Sequence, residues 1–149
     1  MTTNVYDAKD ALFTKLIEEM DPGRLLVGAQ VSYEWPGANA ELDCIYGGGV
    51  RFVQDDGVAE QWVLKQEEAK VSVYIRVVKR PPVDVRVTDQ ACSAWAKKVA
   101  QVLKKNQHLT FGFIAAGITE GQGDYSKTDD ETVSILALQV KILSAFNFD

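Results

Sequence analysis

The chain has 149 residues, 46% hydrophobic and 25% charged, with a formal net charge of −5. A chain of that length buries roughly 70% of the surface exposed by its unfolded state, so one globular domain is expected and disordered or fibrous classes are excluded. No apolar run approaches the ~20 residues of a membrane-spanning helix, and the acidic balance argues against a protein that grips nucleic acid through its phosphates.

The opening Met1-Thr2-Thr3-Asn4 has neither a basic segment nor an apolar core, so no secretory leader is expected and the chain reads as made and used in a cytoplasm. The first element is a helix from about Val5 to Met20. Leu12, Phe13, Leu16, Ile17 and Met20 recur at helical spacing, while Lys9, Asp10, Lys15, Glu18 and Glu19 fill the outer face. Asn4 suits the N-cap, Asp7 the first turn, and Asp21-Pro22-Gly23 stops the helix. Glu18 and Glu19 sit at the negative end of the helix dipole, which costs a few tenths to ~1 kcal/mol. They read either as a solvated face or as a match for a basic surface on a partner.

Val27, Ala29, Val31, Tyr33 and Trp35 then alternate, predicting a strand of about ten residues that Pro36-Gly37 ends in a turn. A second strand spans about Leu42 to Val53 and closes at Asp55-Asp56-Gly57. A third carries Val71, Val73, Ile75 and Val77 on one face. Its other face holds Lys70, Ser72, Tyr74, Arg76 and Arg80, a side that is wet or meets something acidic. Pro81-Pro82 cannot continue a ladder and marks the boundary of the sheet segment. A second helix follows, roughly Asp84 to Asn106, with Ala91, Trp95, Val99, Val102 and Leu103 as its apolar stripe. Lys97, Lys98, Lys104 and Lys105 crowd its last turns, where the dipole favours cations. Two strands complete the chain, about Leu109 to Thr119 and Thr132 to Ala145, with a polar loop from Glu120 to Asp130 between them. Leu136, Leu138, Val140 and Ile142 share a face of the last segment; a helix competes there, because Leu and Ala are indifferent to strands. The order α-β-β-β-α-β-β predicts an α+β single domain over residues 1–149, two helices packed on one mostly antiparallel sheet.

Nothing in the sequence assembles a catalytic constellation. Gly47-Gly48-Gly49 lacks the following Lys-Ser/Thr and helix of a phosphate-binding loop, and Val50-Arg51-Phe52 makes it a bulge or bend in a strand. Asp124, Asp129, Asp130 and Glu131 match no calcium-loop spacing and read as a solvated acidic segment, suited to ordering against a partner. His108, with no nucleophile motif near it, suits a helix end. Cys44 and Cys92 allow one disulfide, though two buried thiols fit a reducing compartment better. One His and two separated Cys leave no structural zinc set; no cofactor is implied, and a metal held by carboxylates alone is the one metal reading left open. Trp35, Trp62 and Trp95 are core or interface anchors; Trp35, beside a Pro-Gly turn, is the best placed to meet another subunit.

The short first helix, the strand ending Val31-Ser32-Tyr33-Glu34-Trp35-Pro36-Gly37 and the following Asp43-Cys44-Ile45-Tyr46-Gly47-Gly48 resemble the tail terminator proteins of long-tailed, siphophage-type bacteriophages and prophages, those from phages of actinobacteria especially. The likeness extends through Glu67-Glu68, the strand from Ala69 to Arg80, the second helix and the Gly121–Asp130 segment; Gly47-Gly48-Gly49 and Pro81-Pro82 depart from the simpler punctuation expected. The resemblance implies a non-enzymatic virion protein, assembled in the host cytoplasm into a six-membered ring on the head-proximal end of the tail tube. It would stop tube polymerisation and offer a docking surface to the head-side connector. DNA would pass through the lumen without specific binding, as an acidic ring allows. Candidate subunit or partner contacts are Trp35, Pro36 and Gly37, the Asp55-Asp56 turn, and Tyr125, Asp129 and Asp130. A head-completion or stopper protein of the neck is the nearest alternative, and a small ligand-binding or enzymatic α+β domain a more distant one.

Overall fold

The computed structural model describes residues 5–54, 67–106, 109 and 113–144. Helix α1 (Val5–Glu18) is followed by strands β1 (Gln30–Ser32), β2 (Asp43–Gln54) and β3 (Glu67–Lys79), helix α2 (Val85–Lys105), and strands β4 (Phe113–Lys127) and β5 (Thr132–Ser144). The strands form one five-stranded sheet in the order β1-β2-β3-β5-β4, antiparallel except for the β1–β2 pair. This is the α+β architecture expected. The predicted Asn4 cap, the Asp55-Asp56-Gly57 turn, Trp62, His108 and Ala145 lie outside the described residues.

Register explains why one face is dry. Ile45 stands opposite Ile75 and Gly47 opposite Val73, while Val140, Leu138 and Leu136 stand opposite Val71, Val73 and Ile75. Facing cross-strand residues project to the same side of a sheet, so these positions form one apolar surface. Both helices pack on it: α1 lies over β1, β2 and β3, and α2 over β3, β5 and β4. Ala8, Leu12, Phe13 and Leu16 from α1 join Cys92, Val99, Val102 and Leu103 from α2 in a single core with those strand residues. The centre of α2's stripe is therefore Thr88, Cys92 and Val99, with Trp95 at its margin, where its indole N–H donates to Asp43 Oδ2 at 3.1 Å. Asp84 caps α2, its carboxylate accepting from Arg86 N at 2.8 Å.

Three expectations are corrected. The ten-residue first strand shrinks to three residues, because Leu25–Gly28 form turns, and Val27 is exposed. The apparent alternation there comes from a turn, then a strand, then a loop. A strand this short lets the link at residues 33–42 return for parallel pairing, since it must climb only about 10 Å. Second, Glu120–Lys127 is not a loop: it pairs residue by residue with β5 up to Lys127↔Thr132, and only Thr128–Glu131 turn. The backbone ladder holds this arm although residues 119–130 are exposed on both faces, so no side-chain alternation announces it. Third, Lys9 and Glu19 do not lie on a solvated helix face. Lys9 is buried with its ammonium 4.0 Å from the Tyr33 ring centroid. Glu19 is 3% exposed and meets Arg24 at 3.6 Å and Lys105 at 3.5 Å. Glu19 thus joins the ends of the two helices inside one chain and does not serve a partner.

The triple glycine is a bulge, as its sequence suggests. The register steps from Gly47↔Val73 to Val50↔Val71, so Gly48 and Gly49 oppose the single residue Ser72. At Gly47 a Cβ would lie 2.8 Å from Lys9 Cε and 2.9 Å from Phe13 Cε2, and against the Tyr33 carbonyl oxygen; at Gly49 it would meet nothing within 4 Å. Gly47→Ala is therefore expected to lower unfolding free energy by about 1–3 kcal/mol in urea titrations, against no more than ~0.5 kcal/mol for Gly49→Ala.

Candidate functional site

Two helices cover one face of the sheet, and no described helix covers the other. On it Tyr46 stands opposite Tyr74, and Cys44 opposite Arg76. Trp35, leaving β1, folds back over this row. Its ring meets Tyr46 edge-on with centroids 4.9 Å apart, and Tyr46 stacks on Tyr74 at 5.2 Å. The Arg76 guanidinium lies 5.3 Å from the Trp35 ring centroid. The Pro36–Ala40 link is fixed by a 3-10 turn at Gly37–Asn39, where Gly37 takes φ 64°. Gln30 clamps it from β1, donating to Asn39 O at 3.2 Å and accepting from Glu41 N at 2.7 Å. Trp35 nevertheless remains 45% exposed. Burial pushes the Tyr46 phenol and the Cys44 thiol up from their ordinary pKa values, and the Arg76 charge partly opposes both shifts.

The other predicted contact residues lie across the sheet. Tyr125, 62% exposed, is on β4, and Asp129 and Asp130 sit in the β4–β5 turn. Thr128 Oγ1 accepts from Asp130 N and Glu131 N, both at 3.2 Å, which leaves the two aspartate side chains directed outward without an ion pair among the described residues. The structure thus separates the Trp35 group and the hairpin group onto opposite sides of the sheet, and Asp55 and Asp56 lie outside the described residues. The acids do not converge as a cation site: Asp124 is on the strand, and Glu131 pairs with Arg80 at 3.4 Å. Among the described residues no group of three His, Cys, Asp or Glu side chains could hold a metal ion. Sequence reasoning did not single out Tyr46, Tyr74 and Arg76 as a group with Trp35; the shared strand parity of Tyr74 and Arg76 was visible, but their meeting with Tyr46 depends on register.

A groove of about 380 Å³ separates α2 from the hairpin, lined by Asp89, Cys92, Tyr125, Ser134 and Leu136 among others. Its polar groups are engaged with one another. Ser134 Oγ donates to Asp89 Oδ1 at 2.6 Å and accepts from Thr88 Oγ1 at 2.6 Å. The Cys92 thiol points at the Ser134 and Ile75 carbonyl oxygens at 3.4 and 3.6 Å. Burial, with the Asp89 charge second, pushes it up to about 11, so it stays in the protonated, non-nucleophilic form. Both Cys44 and Cys92 are free and buried. These contacts lock helix to sheet and supply no acid–base pair.

No protein-family model matches the sequence, and no curated protein matches it. Among solved structures, a chain of the structure described as "Virion of native gene transfer agent (GTA) particle" has the same fold, with a TM-score of 0.59 and 12% sequence identity. The match covers 91% of this chain and 94% of that one, so the shared fold spans essentially the whole of both.

The Cys92 shift has a consequence for stability. Its folded pKa of about 11 lies above an unfolded value of about 8.5, so the stabilisation of the neutral thiol is complete below the lower value and lost as pH rises through the upper one. Between about pH 8 and pH 10.5, wild-type unfolding free energy should fall on the order of 2 kcal/mol further than that of Cys92→Ser, measured by urea titration at each pH.

Proposed function

We propose that this chain is a structural virion protein and, more narrowly, a tail terminator: a ring-forming subunit at the head-proximal end of a phage tail tube. The observation that carries the reading is the whole-length fold match to a chain of a gene transfer agent virion, 91% of one chain on 94% of the other. The family resemblance of the sequence points the same way. The surface is also suited to assembly. Among the described residues β4 pairs with β5 alone, which leaves its outer edge open along Ala115–Lys127, and β1 pairs with β2 only at Cys44–Tyr46, which leaves the β2 edge open at Gly47–Arg51. Open edges of this length are templates for pairing between chains. Because the edges lie on opposite sides of one sheet, contacts between them are heterologous, and such contacts close into a ring or run on as a filament.

In this mechanism termination is steric. One face of the ring copies the stacking surface of the tube, the other does not, and no further tube subunit adds. A ring with an acidic balance repels passing DNA instead of gripping it.

Removing the protein from the particle's assembly should yield overlong tubes and unjoined, filled heads by negative-stain microscopy; tubes of normal length with leaking heads would instead assign it to the head-side stopper. The double substitution Asp129→Lys, Asp130→Lys should leave the melting temperature within a few degrees of wild type while abolishing head–tail joining. Normal yields of joined particles from that variant would remove the hairpin turn from the docking surface.

A further inference from the structure

The open face carries a cation without an acid. Among the described residues no carboxylate lies within 4.0 Å of the Arg76 guanidinium, although Arg80 has Glu131, Arg24 and Lys105 share Glu19, and Lys141 pairs with Glu68. Instead Arg76 lies against Trp35, which in turn meets Tyr46 edge-on, and Tyr46 stacks on Tyr74. A guanidinium lying over an aromatic ring keeps its N–H edge free, the edge that binds a carboxylate bidentately. Arg, Trp and Tyr packed together around a half-exposed indole are also the composition of an interface hot spot. Glu34, next in sequence to Trp35, does not fill the vacancy: its charge acts on Lys9, beneath the helix-covered face.

The complementary group is on the same chain but out of reach of its own Arg76. Asp129 and Asp130 project beyond the Lys79↔Thr132 end of the sheet, three residues or about 10 Å past the Arg76↔Ile135 row. They also sit on the β5–β4 side of the sheet, whereas Trp35 lies at the β1–β2 side. When copies stand side by side with their sheets in the same orientation, the hairpin turn of one comes to the Trp35 side of the next, at the same end of the molecule.

We propose that the Asp129–Asp130 turn of one copy docks on the Trp35–Tyr46–Arg76 cluster of its neighbour, forming the carboxylate–guanidinium contact that repeats around the ring. This rests on the ring reading given above and names its subunit contact.

Charge reversal tests it. Four proteins are compared by native mass spectrometry and negative-stain imaging, alone and on purified tail tubes: wild type, Arg76→Glu, Asp129→Arg/Asp130→Arg, and all three substitutions together. Arg76→Gln, which keeps the side-chain stem and removes the charge, controls for folding. Each one-sided reversal should cut the ring population at least tenfold, Arg76→Gln should weaken it less, and the combined reversal should restore rings to within about threefold of wild type. Rings of unchanged abundance in all variants would overturn this contact and leave the ring reading standing. Loss of tube binding from Arg76→Glu alone, with Asp129→Arg/Asp130→Arg rings intact, would overturn the second-copy occupant in favour of an acidic partner in the tube. No ring from wild type even on tubes would overturn both.

Discussion

Everything else in the structure depends on the burial of one face of β3. Val71, Val73, Ile75 and Val77 are fully excluded from water, and each sits between β2 and β5 with a helix above. Apolar burial of this kind is the dominant favourable term in folding. Two helices are enough to cover one face of a five-stranded sheet and no more. Among the described residues, the same geometry that makes the core therefore leaves no helix on the second face and much of the outer edge of β4 unpaired, which is a liability in a monomer and a resource in an assembly. The acidic balance and the exposed, glycine-containing hairpin arm fit the second description.

Charge placement divides in the same way. Two enclosed ionic groups are met within the chain: Glu19 by Arg24 and Lys105, Lys9 by the Tyr33 ring. A carboxylate with two cations around it is a clamp between helix ends, and removing it would cost more than the pair itself contributes. Arg76, on the central strand β3 against Trp35, and Asp129 and Asp130, in the hairpin turn, are among the charges that make no ion pair among the described residues. In the proposed subunit contact, these are the charges that would meet between copies.

Much of this was legible in the sequence, and the failures share a cause. Pro81-Pro82 marked the end of β3, and the alternation of β3 marked its buried face, since period-2 patterns report one-sided burial directly, whereas the apolar run Ile135–Leu138 left a helix in competition at β5. Segments exposed on both sides carry no such pattern. Glu120–Lys127 is held by its backbone ladder to β5, and with Gly121, Gly123 and the polar Glu120, Gln122, Asp124, Ser126 and Lys127 it reads as a loop. Gly121 lies so close to Leu138 that a Cβ would stand 3.3 Å from Leu138 Cδ2, a packing reason for glycine invisible in the sequence. Val27 to Trp35 failed oppositely, because a turn and a loop happened to continue a strand's parity. The candidate contacts at Trp35, Tyr125, Asp129 and Asp130 were chosen as exposed aromatics and acids, and all four are exposed. The grouping of Tyr46, Tyr74 and Arg76 beside Trp35 emerges only from cross-strand register, which no local pattern specifies.

The central claim is that the exposed edges and cluster exist to close a ring of identical subunits. Native mass spectrometry over a concentration series, with and without tail tubes and paired with negative-stain imaging, tests it most directly. The account predicts a six-copy species with six-fold rings in projection, formed alone or on the tube end. A discrete dimer that retains a co-purified small molecule, and never a ring, would contradict it.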